Sequence, residues 1–165
     1  MKAELWFKIN KNRKDWLSRI ISWRQSSPFV HVELVFPDDK IACSSVIGKG
    51  VRITSTNELL AEKGAEWFVV PLQIENPVPA LSWFFRNEGA PYDMASILEI
   101  GAGRSPERLE NQAWYCSEAC CEAIKQCGVW PAVSSHGVKV DILYYLALGL
   151  FKNRDDFYVR IEVAQ

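Results

Sequence analysis

An α+β fold is predicted for this chain of 165 residues, on three observations. Strand-like and helix-like segments are segregated along the sequence more than they alternate, which argues against a doubly wound parallel sheet. The segment "AELWFKI" sets Leu5, Phe7 and Ile9 against Glu4, Trp6 and Lys8, the two-residue period of a half-buried strand. Apolar stripes at helical spacing recur in "RKDWLSRIISWRQ" (Trp16, Leu17, Ile20, Ile21, Trp23) and in "CSEACCEAIKQCG" (Ala119, Cys120, Ala123, Ile124, Cys127). Domains usually run about 100–200 residues, so residues 1–165 are expected to form one domain.

The elements follow in order. After the first strand and the first helix come "FVHVELVF", the turn "PDDK", and the pair "IACSSV" and "GVRIT", read as strands joined by short turns. "STNELLAEKG" opens with Ser three residues before Glu and stops at Gly64, the signature of a short capped helix. "EWFVVPLQI" is a strand ended by the proline-rich "ENPVPA", and "PALSWFFRNEG" is a helix ended by Gly89. "YDMASILEIG" begins another helix, with Asp93 as cap. "GAGRSPERLEN" is a loop, Gly128 closes the cysteine-bearing helix, "DILYYLALGLF" is a short helix and "FYVRIEV" a closing strand.

Composition excludes several classes. The formal net charge of −1 gives no reason to expect nucleic acid or an anionic membrane surface as partner. The longest apolar run, "ILYYLALGLF", is about half the roughly 20 residues of a spanning helix. "MKAELWFKINKNRKDW" has no charged start followed by an apolar run, so no signal peptide is expected, and a cytoplasmic protein with reduced thiols follows. Seven tryptophans and eight phenylalanines fit either a large aromatic core or a sticky groove.

Four of the five cysteines lie in "NQAWYCSEACCEAIKQCG". The spacing C-x3-C-C-x5-C along one helix, with no matching Cys or His pair elsewhere, is not that of a zinc site, and no metal is expected. An odd count does not suit a closed disulfide framework. Cys43, Cys120 and Cys127 read as small buried hydrophobes, whereas Cys121 falls off the apolar stripe. Cys116 opens the helix, where unpaired N–H groups and the positive end of the dipole favour a thiolate nucleophile. Of the two histidines, His136 lies in the polar loop "VSSHGVKV" and reads as solvated. His31 stands in an apolar strand, and Glu33, two residues on, shares its face. Two polar side chains among apolar neighbours are costly to bury unless paired. A thiolate, an imidazole and a third group that orients the ring make the cysteine-hydrolase arrangement.

The order "SSPFVHVELVF", "GVRITSTNEL", "APYDMASIL" and "WYCSEACCEAI", over residues 26–127, resembles the circularly permuted papain-like proteins. These are rearranged relatives of the NlpC-type cell-wall peptidases and of lecithin:retinol acyltransferase. Four landmarks carry the resemblance: a histidine on an early strand, a strand ending in "GV" after it, a "Y-D" pair opening a helix, and an aromatic-C-S-E nucleophile at a helix start. The resemblance implies a small antiparallel barrel-like sheet packed against helices, with the Cys116 helix on the sheet edge facing His31. It also implies a bacterial or phage source. It puts the nucleophile on Cys116 and the base on His31. Many members carry the third group on the strand after the histidine. Here that strand offers Ser44 or Ser45 and no carboxylate, so Glu33 or one of these serines takes the role. Tyr92 and Tyr115 are candidates to line the cleft or add an oxyanion donor, although core packing is the first reading for each. The implied activity is that of a cysteine amidase, peptidase or acyl hydrolase without cofactor. Its substrates would be small peptides, peptidoglycan fragments or acyl compounds. The alternative is a non-catalytic binding or phage-assembly module on the same scaffold.

Overall fold

The computed structural model describes residues 1–10, 28–95, 113–149 and 159–162. The architecture is α+β, an antiparallel sheet with helices packed on it. Strands β1 (Ala3–Asn10), β2 (Phe29–Phe36), β3 (Ile41–Val46), β4 (Gly50–Ser55), β5 (Ala65–Leu72) and β6 (Val159–Glu162) lie in the spatial order β4-β3-β2-β1-β5-β6. The helices are α1 (Thr56–Leu60), α2 (Val78–Asn87), α3 (Cys116–Lys125) and α4 (Val140–Gly149). The helix expected over 13–25 and the loop expected over 101–111 lie outside the described residues. Of the helix expected over 92–101, Met94 and Ala95 are described and helical.

Local chemistry accounts for the element ends. Ser55 caps α1, its hydroxyl accepting from the Glu58 N–H at 3.4 Å, one half of the expected capping box. Asn76 Oδ1 accepts from the Val78 N–H at the start of α2. Gly50 is required by its surroundings. Its φ is +72°, and a Cβ there would stand 2.1 Å from the Ala90 carbonyl oxygen. That approach allows Val51 N–H to donate to Ala90 O (2.8 Å) and Gly89 N–H to donate to Val51 O (2.9 Å). The "GV" of the sequence is therefore the joint between β4 and the segment leading to Tyr92.

Two cores flank the sheet. Leu5 and Phe7 of β1 join Val32, Leu34, Phe36 and Cys43 in the larger one, which α2, α3 and α4 cover. Trp6 faces the other way, against Val35, Ala42, Trp67 and Val69, and Leu59 of α1 closes that side. The half-buried strand expected for β1 is thus apolar on both faces at its centre. Trp6 is accommodated because its indole N–H donates to Glu4 Oε2 at 2.8 Å. Trp6, Trp67 and Trp83 are all buried, so these aromatics build core rather than a groove.

The interior of the sheet is forked. The β2–β3 ladder joins only Leu34–Cys43, Val35–Ala42 and Phe36–Ile41, although β2 begins at Phe29 and β3 runs on to Val46. Side chains take the acceptors the ladder leaves, because buried carbonyls need donors. Ser44 Oγ donates to Val32 O at 2.7 Å, and the Cys120 thiol lies 3.9 Å from Val32 O and 4.0 Å from Cys43 O. On the other side of β2, the register with β1 slips between Lys8–His31 and Ile9–Phe29, leaving Val30 as the extra residue of a bulge. His31 therefore sits between a fork and a bulge. Helix α3 packs on the face of the interior strands β2 and β3, not on the sheet edge as expected, and its first turn carries Cys116 to His31.

Candidate active site

Two strands and one helix bring side chains to His31. The imidazole Nε2 lies 2.7 Å from Glu33 Oε1, and the ring also hydrogen-bonds the side chain of Cys116. With Nε2 engaged by the carboxylate, Nδ1 is the nitrogen available to exchange a proton with the sulfur. Burial lowers the proton affinity of the imidazole. The Cys116 sulfur and the Glu33 carboxylate outweigh burial and push His31 up to about 9 from an ordinary 6.5. The ring is accordingly an imidazolium at neutral pH, held between two groups that favour its charge. Its side chain is 20 % exposed, while Cys116 is 5 % exposed at the first residue of α3.

Glu33 is the carboxylate that meets the His31 ring. It is fully buried, and its Oε1 receives both the His31 ring and Arg52 Nη2, the latter at 2.6 Å. Arg52 comes from β4, opposite Ser44. A buried carboxylate with an arginine and an imidazole on one oxygen fixes the ring. The serines do not take this part. Ser44 donates to Val32 O and weakly to Ser45 O, and Ser45 donates to Trp114 O at 2.6 Å. Their hydroxyls serve the fork and the segment before Cys116.

Both tyrosines lie beside Cys116. Tyr92 is half-buried, and its backbone pairs with Trp114 in a parallel bridge, with Asp93 N–H donating to Trp114 O and Trp114 N–H to Pro91 O. Burial above all, and then the Cys116 sulfur, push the Tyr92 phenol well above its ordinary value. Tyr115 is the N-cap residue of α3. Its hydroxyl is buried without a hydrogen-bond partner among the described residues. Burial first, then Glu118 and Cys116, hold it protonated.

The other thiols are inert by environment. Burial pushes Cys121 up to about 12 and also raises Cys43 and Cys120 well above the ordinary thiol range. Cys121, off the apolar stripe in sequence, is fully buried because α2, α4 and the sheet surround α3 on several sides. Cys127 is half-buried. Among the described residues no group of three or more His, Cys, Asp or Glu side chains is placed to hold a metal ion. No described helix is long and apolar enough to cross a membrane.

Sequence reasoning missed Arg52 and misread His136. Arg52 is the only charge in "GVRIT", the same signal that marked Glu33, but its partner depends on strand register. His136 is not merely solvated: its Nδ1 lies 3.2 Å from Glu118 Oε1, and Glu118 is buried. No protein-family model matches the chain, and the comparison with curated proteins finds no match.

Proposed function

We propose that the chain is a cysteine hydrolase of the permuted papain-like type, cleaving an amide, ester or thioester through an acyl-enzyme. The observation that carries this reading is the buried Glu33 carboxylate 2.7 Å from His31 Nε2, on a ring that also hydrogen-bonds Cys116. The His31 imidazolium holds Cys116 as a thiolate, and the thiolate attacks the carbonyl carbon. The Cys116 N–H, in the first turn of α3, is one donor to the resulting oxyanion, a contact typically worth about 2.7–4 kcal/mol. The imidazolium then returns the proton to the departing amine, alcohol or thiol as the C–N, C–O or C–S bond breaks. Water, deprotonated by the now neutral His31, adds to the acyl-enzyme, and the C–S bond breaks to restore the thiolate beside the imidazolium. Glu33 keeps the ring oriented throughout, and Arg52 holds Glu33 in place on the same oxygen. Small peptides, peptidoglycan fragments and acyl compounds are the substrate classes this chemistry suits.

A non-catalytic scaffold is the second reading, favoured by the 5 % exposure of Cys116 within the larger core. Alkylation separates the two. An ordinary thiol near 8.5 is thiolate to only about 0.3 % at pH 6. The hydrolase reading expects Cys116 to react with iodoacetamide about a hundredfold faster than that at pH 6, and His31→Ala to abolish the excess. An acyl or amide activity probe should label Cys116 and none of the other four thiols. Wild-type reactivity no greater than a free thiol, unchanged in the His31 variant, leaves the scaffold reading.

A further inference from the structure

The residues next to the nucleophile, Ser117 and Glu118, are buried polar groups that the mechanism does not use. Both reach the same segment of chain between α3 and α4. Ser117 Oγ donates to Val138 O at 2.7 Å, and Gly137 N–H donates to Glu118 Oε1 at 2.7 Å. The Glu118 carboxylate also accepts from the backbone N–H of Tyr115, the N-cap residue, and has His136 Nδ1 at 3.2 Å. Glu118 is the third residue of the helix, so its bond to Tyr115 is the returning half of a capping box. The Tyr115 side chain makes no cap bond of its own. The first turn of α3 is thus held from one carboxylate, which fastens the residue before Cys116 and the 136–138 segment to each other.

We propose that Glu118 is a positioning residue for Cys116: by accepting from the Tyr115 and Gly137 N–H groups it sets where the first turn of α3 presents the sulfur to His31. The inference rests on the Cys116–His31 reading and concerns the acceptor reach of Glu118, not its charge. Charge alone works the other way, since a carboxylate beside a thiolate disfavours it. Burial and nearby Asp93 raise the proton affinity of Glu118, opposed by the Gly137 bond and by His136, which is consistent with a group retained for its acceptor atoms.

Two substitutions separate reach from charge. Glu118→Gln keeps the length and an acceptor oxygen but removes the charge. Glu118→Asp keeps the charge but draws the oxygens back by one methylene, and aspartate is well tolerated in a first helical turn. The measurement is the rate of Cys116 alkylation by iodoacetamide from pH 5 to 9, with near-ultraviolet circular dichroism to establish that each variant is folded and His31→Ala as reference. Positioning predicts that Glu118→Gln stays within about twofold of wild type while Glu118→Asp loses about fivefold to tenfold at pH 6, the scale of one lost cap. Wild-type behaviour of Glu118→Asp, or an equal fall in both variants, overturns the inference. If His31→Ala leaves the wild-type profile unchanged, the hydrolase reading itself fails. If His31→Ala lowers it and the two Glu118 variants do not differ, only the positioning role fails.

Discussion

Replacing Arg52 by Met removes the guanidinium while keeping an apolar stem of similar reach. Glu33 is fully buried and both its partners share Oε1; Oε2 has no hydrogen-bond partner among the described residues. Without Arg52 the carboxylate is left with the imidazole alone. Removing one member of a buried ion pair typically costs about 3–5 kcal/mol. The Arg52 side chain is 19 % exposed, so water screens part of the interaction, and about 2–3 kcal/mol is the expected loss. At about 2–4 °C per kcal/mol for a domain of this size, the melting temperature should fall about 5–10 °C. Urea unfolding followed by tryptophan fluorescence, on wild type, Arg52→Met, Glu33→Gln and the double variant, measures the coupling directly. The double variant should be more stable than the sum of the single losses predicts, by at least about 1 kcal/mol, because Glu33→Gln removes the charge that Arg52 serves. A loss below about 0.5 kcal/mol for Arg52→Met, additive with Glu33→Gln, would refute the pairing, since surface substitutions lie within that range.

Stability should depend on pH through His31. Its folded value, about 9, exceeds the ordinary 6.5, so the folded chain holds a proton that the unfolded chain has released between those limits. The contribution is fully present below about pH 6.5 and is lost as pH rises toward 9; the difference corresponds to about 3 kcal/mol. Denaturation curves from pH 6 to 9.5 should show a decline that His31→Gln flattens, and an identical slope in the variant counts against the assignment. Gly50→Ala should cost about 2–4 kcal/mol, from the left-handed backbone and the displaced Ala90 carbonyl. Gly48→Ala, also at positive φ but with nothing within 4 Å, should cost only about 1 kcal/mol. Equal urea midpoints for the two variants would show that the Gly50–Ala90 approach is not tight.

Periodicity served well where one local pattern decided the structure. The alternation in "FVHVELVF" put His31 and Glu33 on one face, and they meet there at 2.7 Å. The apolar stripe and closing glycine of "CSEACCEAIKQCG" marked α3 to within a residue or two and placed Cys116 in its first turn. Reading was poorer where both faces of an element are covered. Trp6 and Cys121 seemed to point away from a core because a single apolar stripe does not reveal a second layer.

Local patterns were enough to give the element types, the α+β class, the shared strand face of His31 and Glu33, and the position of Cys116 at a helix start. All of these follow from interactions between residues a few positions apart. Only the tertiary structure decided that Arg52 shares the Glu33 oxygen, that Ser44 and Ser45 satisfy carbonyls at the β2–β3 fork, and that His136 meets Glu118. Those contacts depend on strand register and on where a ladder stops. A shift of one residue would exchange every side chain between faces, and no local pattern records which register the packed chain adopts.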